Sequence, residues 1–201
     1  LSVVDEHLKK AFLRQIWLQC RFAQRAAVEL DAAYRSMTQH RSDIKVDPAL
    51  PRAEMRAQAT AQAMEPALGP WYAIQALLTA VANISKALWG LGGKLAAERE
   101  ALRDALAVDD SSPIRPTSMR NNFDHFDDRL DEWWEASTSH NMADLNFGDL
   151  ASAIQGLTDK EMFRSFNPAT GDVVFWGKPY NLPQILGEIA RIEPLSLRAS
   201  I

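Results

Sequence analysis

The chain has 201 residues, 47% of them hydrophobic and 24% charged, enough apolar material for a sizeable core, which excludes global disorder. Its formal net charge is -4 but unevenly spread: residues 1–108 carry 14 basic and 11 acidic groups, and residues 109–201 carry 8 and 15. That balance excludes a protein whose whole surface attracts nucleic acid, while a local positive pocket stays open to it.

In chain order, the first predicted element is a long helix. Leu8, Phe12, Ile16, Cys20, Ala23, Ala27, Leu30, Tyr34 and Met37 recur at steps of three and four, which predicts one amphipathic helix over residues 4–39. Cys20 is the only cysteine and reads as a small core side chain; a single thiol excludes an intrachain disulfide and a cysteine-based zinc site. Residues 40–51, polar and holding Pro48 and Pro51, make a connection. Alanine, methionine and glutamine then predict a second helix up to Ala67. Gly69-Pro70 marks the next boundary, with Pro66 as an alternative first-turn residue of the helix that follows. That third helix presents Trp71, Ile74, Leu77, Leu78, Val81, Ile84 and Leu88 as a dense apolar face and ends near Gly90. Gln75, Asn83, Ser85 and Lys86 within it point to a buried bundle helix, so no membrane span is expected. Gly92-Gly93-Lys94 lacks both the spacing and the following hydroxyl of a phosphate loop.

A shorter helix is predicted over 94–107, and residues 109–117 form a loop. Thr117 or Ser118 caps the next helix, whose apolar side is Phe123, Phe126, Leu130, Trp133 and Trp134. Weak periodic cues from Asn141 to Gly156 predict another short helix, and Thr158 with Glu161 matches a capping box. Phe166 to Gly171 reads as a turn joining Phe163–Phe166 to the β-prone Asp172–Gly177 in a small hairpin. Lys178 to Pro183 reads as irregular, and Gln184 to Ile192 as a final short helix. Together these predict a mainly α, single-domain bundle of long antiparallel helices with a small C-terminal β-hairpin or extended segment, residues 157–201 forming a C-terminal appendage. No signal-like segment is evident, and a cytoplasmic location is the expectation.

The chemistry concentrates in Met119–Trp134, where Arg120, Asn121 and His125 open an amphipathic helix beside six carboxylates, counting Glu135 just past it. On an ideal helix Arg120 and His125 are turned about 140° apart. Arg120 at the first turn can bend over the helix end, while Asn121, His125 and Arg129 recur at steps of four and share a face. A helix start favours an anion, imidazole titrates near neutral pH, and a guanidinium matches phosphate. The same residues support an ion-paired wall: Arg120 with Asp124, His125 with Asp128 or the carbonyl of Asn121, Arg129 with Glu132 or Asp128. A magnesium reading of Asp124, Asp128 and Asp131 finds no second histidine at ligand spacing, so no metal or cofactor is expected. In the tail, Trp176, Lys178 and Tyr180 combine aromatic faces with a cation, either as a cover over a ligand or as a rigid loop against the bundle.

Arg120-Asn121-Asn-Phe-Asp-His125 resembles the Arg–polar–three residues–His signature of the HEPN superfamily of small helical-bundle proteins. The resemblance implies a homodimer in which the motif helices of two subunits form a composite cleft. It implies a metal-independent endoribonuclease of the kind found in toxin–antitoxin, phage-defence and RNA-processing systems. Arg120 and His125 would be catalytic and Asn121 supporting, with Asp128 and Arg129 beside them and an antitoxin or other protein as partner. The implied chemistry is attack by the RNA 2′-hydroxyl, giving a cyclic phosphate and a 5′-hydroxyl. Other members have lost catalysis and serve as nucleotide- or protein-binding modules, the second function the resemblance allows. The motif covers six residues of 201, the bundle fits the family pattern over residues 1–156, and the β-prone tail lies outside that pattern.

Overall fold

Two long helices set the frame: α1, Glu6–His40, and α2, Arg52–Trp89. The computed structural model describes residues 5–40, 45–90, 92–148 and 158–201. In α1 the predicted positions Ile16, Cys20, Ala23, Leu30 and Met37 are buried and Phe12, Ala27 and Tyr34 half-buried, whereas Leu8 is exposed and Leu13, outside the predicted stripe, is buried. Opposite them α2 buries Ile74, Leu77, Leu78, Val81, Ile84 and Leu88. The pair is antiparallel: a Cβ on Gly69 would lie 3.2 Å from Ala33 Cβ, and the Asn83 amide reaches Gln19 Oε1 at 3.4 Å. Burial of Cys20, with Glu193 nearby, pushes its thiol up to about 12, so it behaves as a core side chain.

The boundary predicted at Gly69-Pro70 is absent, because α2 runs through both Pro66 and Pro70. Each proline forgoes one helical hydrogen bond, a cost of roughly 3 kcal/mol in an isolated helix interior. Here Pro70 is buried, and the apolar face from Ala67 onward packs against α1, which offsets that cost. By length and composition α2 could also cross a membrane, but 61% of its apolar window is buried inside the protein.

The helix predicted over 94–107 is two, α3 at Gly93–Glu98 and α4 at Glu100–Leu106, joined at Arg99 (φ -97°, ψ 7°). No residue of α3 is buried, whereas α4 buries Leu102 and Leu106. Arginines hold this corner: Arg99 donates to Lys86 O, and Arg103 Nη1 donates to Leu88 O and Ala96 O, each at 2.7 Å. These carbonyls close α2 and α3, where a cation complements the helix end.

The predicted motif helix is likewise broken, into α5, Ser118–Asp124, and α6, Phe126–Ala136, with His125 at the joint (φ -106°, ψ 45°). Thr117 stands at the start of α5 without a side-chain cap bond, contrary to the expected cap. Within the helix expected from Asn141 to Gly156, residues 146 and 147 form strand β1, Asn146–Phe147, while 149–157 lie outside the described residues. The Thr158–Glu161 capping box is present and opens a 3₁₀ turn, Asp159–Glu161.

Three further strands follow: β2 Arg164–Asn167, β3 Asp172–Phe175 and β4 Lys178–Asn181. The sheet is open, ordered β1-β2-β3-β4, with β1–β2 parallel and the other pairs antiparallel. The expected hairpin is β2–β3. Lys178–Asn181, expected to be irregular, forms a strand because Trp176 (φ 50°) and Gly177 (φ 71°) make a two-residue turn with both φ positive. Pro179 fits because β4 is an edge strand. The last helix, α7, Leu182–Ala199, is longer than predicted; Asn181 Oδ1 caps it by accepting from Gln184 N at 2.9 Å. Leu182, Ile185, Ile189 and Ile192 of α7 join Phe166, Val173 and Phe175 of the sheet in the same core as α1 and α2. The described residues thus form seven α-helices and one small sheet, a mainly α bundle.

Candidate functional site

Met119 and Phe123 anchor α5 by burial, and the Phe123 ring lies 6.2 Å from that of Trp71 on α2 and 6.5 Å from that of Phe175 on β3. Burying those two positions, four apart, turns the intervening residues to the side or outward. Arg120 and Asn121 are half-buried, and Asp124 and His125 are exposed. The break leaves the backbone hydrogen-bonded across the joint, His125 N to Asn121 O at 2.9 Å and Arg129 N to His125 O at 3.2 Å. The imidazole therefore projects from a bend rather than from the side of a continuous helix.

Arg120, His125 and Arg129 all face carboxylates of their own segment. Arg120 pairs with Asp124, the side chains being 26% and 29% exposed. His125 Nδ1 lies 3.7 Å from Asp128 Oδ2, with the histidine side chain 58% exposed. Arg129 pairs with Glu132, which also accepts Lys160 Nζ at 3.2 Å. Such partly exposed pairs contribute at most about 1 kcal/mol each, so a phosphate could compete for the same side chains.

The tail residues divide between two places. Trp176, in the β3–β4 turn, packs against Phe163 (centroids 5.8 Å apart) and Phe175 (5.2 Å). The cations over its ring are Lys160, with Nζ 3.5 Å from the centroid, and Arg129 at 5.7 Å. Trp176 and Arg129 are thus brought together, whereas Lys178 is exposed on β4. Tyr180 is half-buried, its hydroxyl 3.5 Å from Pro116 O, and burial pushes its phenol above the usual range. Next to Lys160 in the chain stands Glu161, a carboxylate only 4% exposed. It accepts from Ser139 Oγ, Thr158 N at 2.8 Å, Ser137 Oγ at 3.0 Å and Thr158 Oγ1 at 3.1 Å, and these bonds push it down to about 2.

Among the described residues no group of three or more histidine, cysteine, aspartate or glutamate side chains is placed to hold a metal ion. A different surface feature has a lining without carboxylates. A groove between α1 and α2 is lined by Phe22 and Tyr72, with Gln19, Gln75, Thr79 and Asn83. Its aromatics are not part of the core stripe, and the sequence signal that marks it is a long interval without carboxylates on both helices. No family model matches this chain, and no curated protein or solved structure matches it.

Proposed function

We propose that this chain is a HEPN-like ribonuclease that cleaves RNA without a metal ion at the face carrying Arg120, Asn121 and His125, completed by a second copy of the chain. The observation that carries this reading is His125: an exposed imidazole at the α5–α6 joint, following an arginine and an asparagine of the same short helix. An imidazole in that position is open to a substrate, and a guanidinium one turn away can meet its phosphate.

The chemistry needs one base and one acid. His125 takes the proton of the 2′-hydroxyl as O2′ bonds to phosphorus, and Arg120 stabilises the negative charge that gathers on the non-bridging oxygens. The phosphorus–O5′ bond then breaks, and His125 of the partner subunit gives its proton to O5′. The products are a cyclic phosphate and a 5′-hydroxyl. Asn121 is the positioning residue, orienting the imidazole or donating to the phosphate. Asp124 opposes all this, because it already holds Arg120 and repels an incoming phosphate. Substrate binding must therefore displace that carboxylate.

The test is cleavage of a mixed set of RNAs in excess chelator. We expect cyclic-phosphate products, a loss of at least about 100-fold in rate for His125→Ala and for Arg120→Ala with unchanged circular dichroism, and a gain of several-fold for Asp124→Asn. No cleavage of any RNA by the folded protein overturns the ribonuclease reading.

The Arg120–Asp124 pair favours a second reading, a non-catalytic helical module that binds a nucleotide or a protein partner such as an antitoxin. In that case Asp124→Asn lowers the melting temperature and raises no cleavage.

A further inference from the structure

We infer that the groove between α1 and α2 holds single-stranded RNA, with bases stacked on Phe22 and Tyr72 and backbone phosphates taken at the end formed by Lys86 and Arg99. It rests on the ribonuclease reading for the choice of RNA, and it names a substrate-holding surface separate from the Arg120–His125 face.

Charge is the first argument. Residues 7–28 of α1 contain no aspartate or glutamate but carry Lys9, Lys10, Arg14, Arg21 and Arg25. Residues 66–97, through α2 into α3, again contain no carboxylate and carry Lys86 and Lys94. Of the acids at the ends of these intervals three serve local pairs, Glu6 with Lys9, Glu29 with Arg25 and Glu98 with Lys94, and the fourth is the exposed Glu65. Glu193 of α7 meets α1 at Trp17, whose indole N–H it accepts at 2.8 Å. Lys9, Lys10, Arg14, Arg21 and Arg25 stand off the lining, which carries amides and no carboxylate and places its cations, Lys86 and Arg99, at one end, in contrast to the carboxylate-rich α6.

The lining chemistry is the second argument. Phe22 is 51% exposed and Tyr72 72% exposed, an unusual disposition for two large rings beside a groove. Between them Gln19, Gln75 and Asn83 present amides, each with both donor and acceptor atoms, suited to the edges of unpaired bases. Asn83 continues into a second lined stretch containing Phe12, Lys86 and Arg99. There Arg99 lies over the Phe12 ring at 5.0 Å. Along α2 the distance from Tyr72 to Lys86 is about 21 Å at 1.5 Å per residue. That suits a strand of about four nucleotides or more, and a positive groove with stacking rings is how unpaired nucleic acid is held. Gln19 and Asn83 bond each other and Arg99 bonds Lys86 O, but a purely apolar partner helix would leave the Gln75 amide and the Lys86 ammonium unused.

Binding is measured separately from cleavage, with the full chain carrying His125→Ala and a fluorescein-labelled oligouridine about 20 nucleotides long. Fluorescence anisotropy should show binding that weakens as salt rises. Phe22→Ala and Tyr72→Ala should each weaken it about tenfold. Lys86→Ala should weaken it and reduce the slope of log affinity against log salt by about 1. No binding at low salt overturns the inference, as does binding that none of the three variants changes. Sedimentation showing a dimer that Tyr72→Arg splits into monomers assigns the groove to a second copy of the chain and also overturns it. Groove-dependent binding in a protein whose native form never cleaves RNA sustains the inference and rejects the ribonuclease reading alone.

Discussion

At residue scale, Glu161 shows how a buried carboxylate is kept charged without a cation. Four donors from three residues surround it, one of them a backbone N–H. Its ordinary value of 4.5 falls to about 2, so the folded state binds this proton less readily than the unfolded chain. The stability it contributes is therefore complete above about pH 4.5 and is lost as pH falls toward about 2. Glu161→Gln should lower the urea midpoint at pH 7, and the gap from the native protein should close on acidification; a pH-independent gap would assign the effect to shape alone. The capping box that begins this arrangement is visible in sequence as Thr158 and Glu161. Ser137 and Ser139 are not, because they reach it from 24 and 22 residues away. The motif follows the same rule. The Arg120–Asp124 contact follows from a spacing of four, whereas the bend at His125 has no glycine or proline to announce it.

At element scale, periodicity identified α1 almost to its ends, because a buried stripe on one face needs no partner to be recognised. It divided α2 in two, since proline and glycine signal termination locally while the packing that overrides them is tertiary. β4 was missed for a related reason: Pro179 speaks against a strand, and only the edge position in the finished sheet makes it acceptable. The turn before it makes a sharp test. Gly177 has φ 71°, and a Cβ there would lie 2.7 Å from Asp159 Cγ. Gly177→Ala should destabilise the protein by about 1–2 kcal/mol from the backbone alone. Gly187→Ala, where an added Cβ meets nothing within 4 Å, should not lower stability in the same denaturation series.

At the scale of the whole molecule, the uneven charge of the two parts of the chain acquires a spatial meaning. Carboxylate-free stretches of α1 and α2 face one another along the groove, with Lys86 and Arg99 at its end, and the acidic α6 packs beside the sheet with Lys160 and Arg129 over Trp176. The proposed chemistry thus stands on a carboxylate-rich surface and the proposed substrate track on one without carboxylates. The net difference could be counted from sequence, but that the two carboxylate-free intervals would border one groove required the antiparallel pairing of the helices. The arginine corner at α3 has a consequence in time rather than in shape. With no buried side chain of its own, α3 is held by contacts from Arg99 and Arg103 to helix-terminal carbonyls. Such a segment opens by breaking a few polar contacts without exposing the core. Amides of residues 93–99 should therefore exchange with deuterium well before those of residues 74–84, by an amount that Arg103→Ala enlarges; equal protection in both stretches would count against it. Since Arg99 also closes one end of the groove, this early-opening corner would set how long a bound strand stays in place.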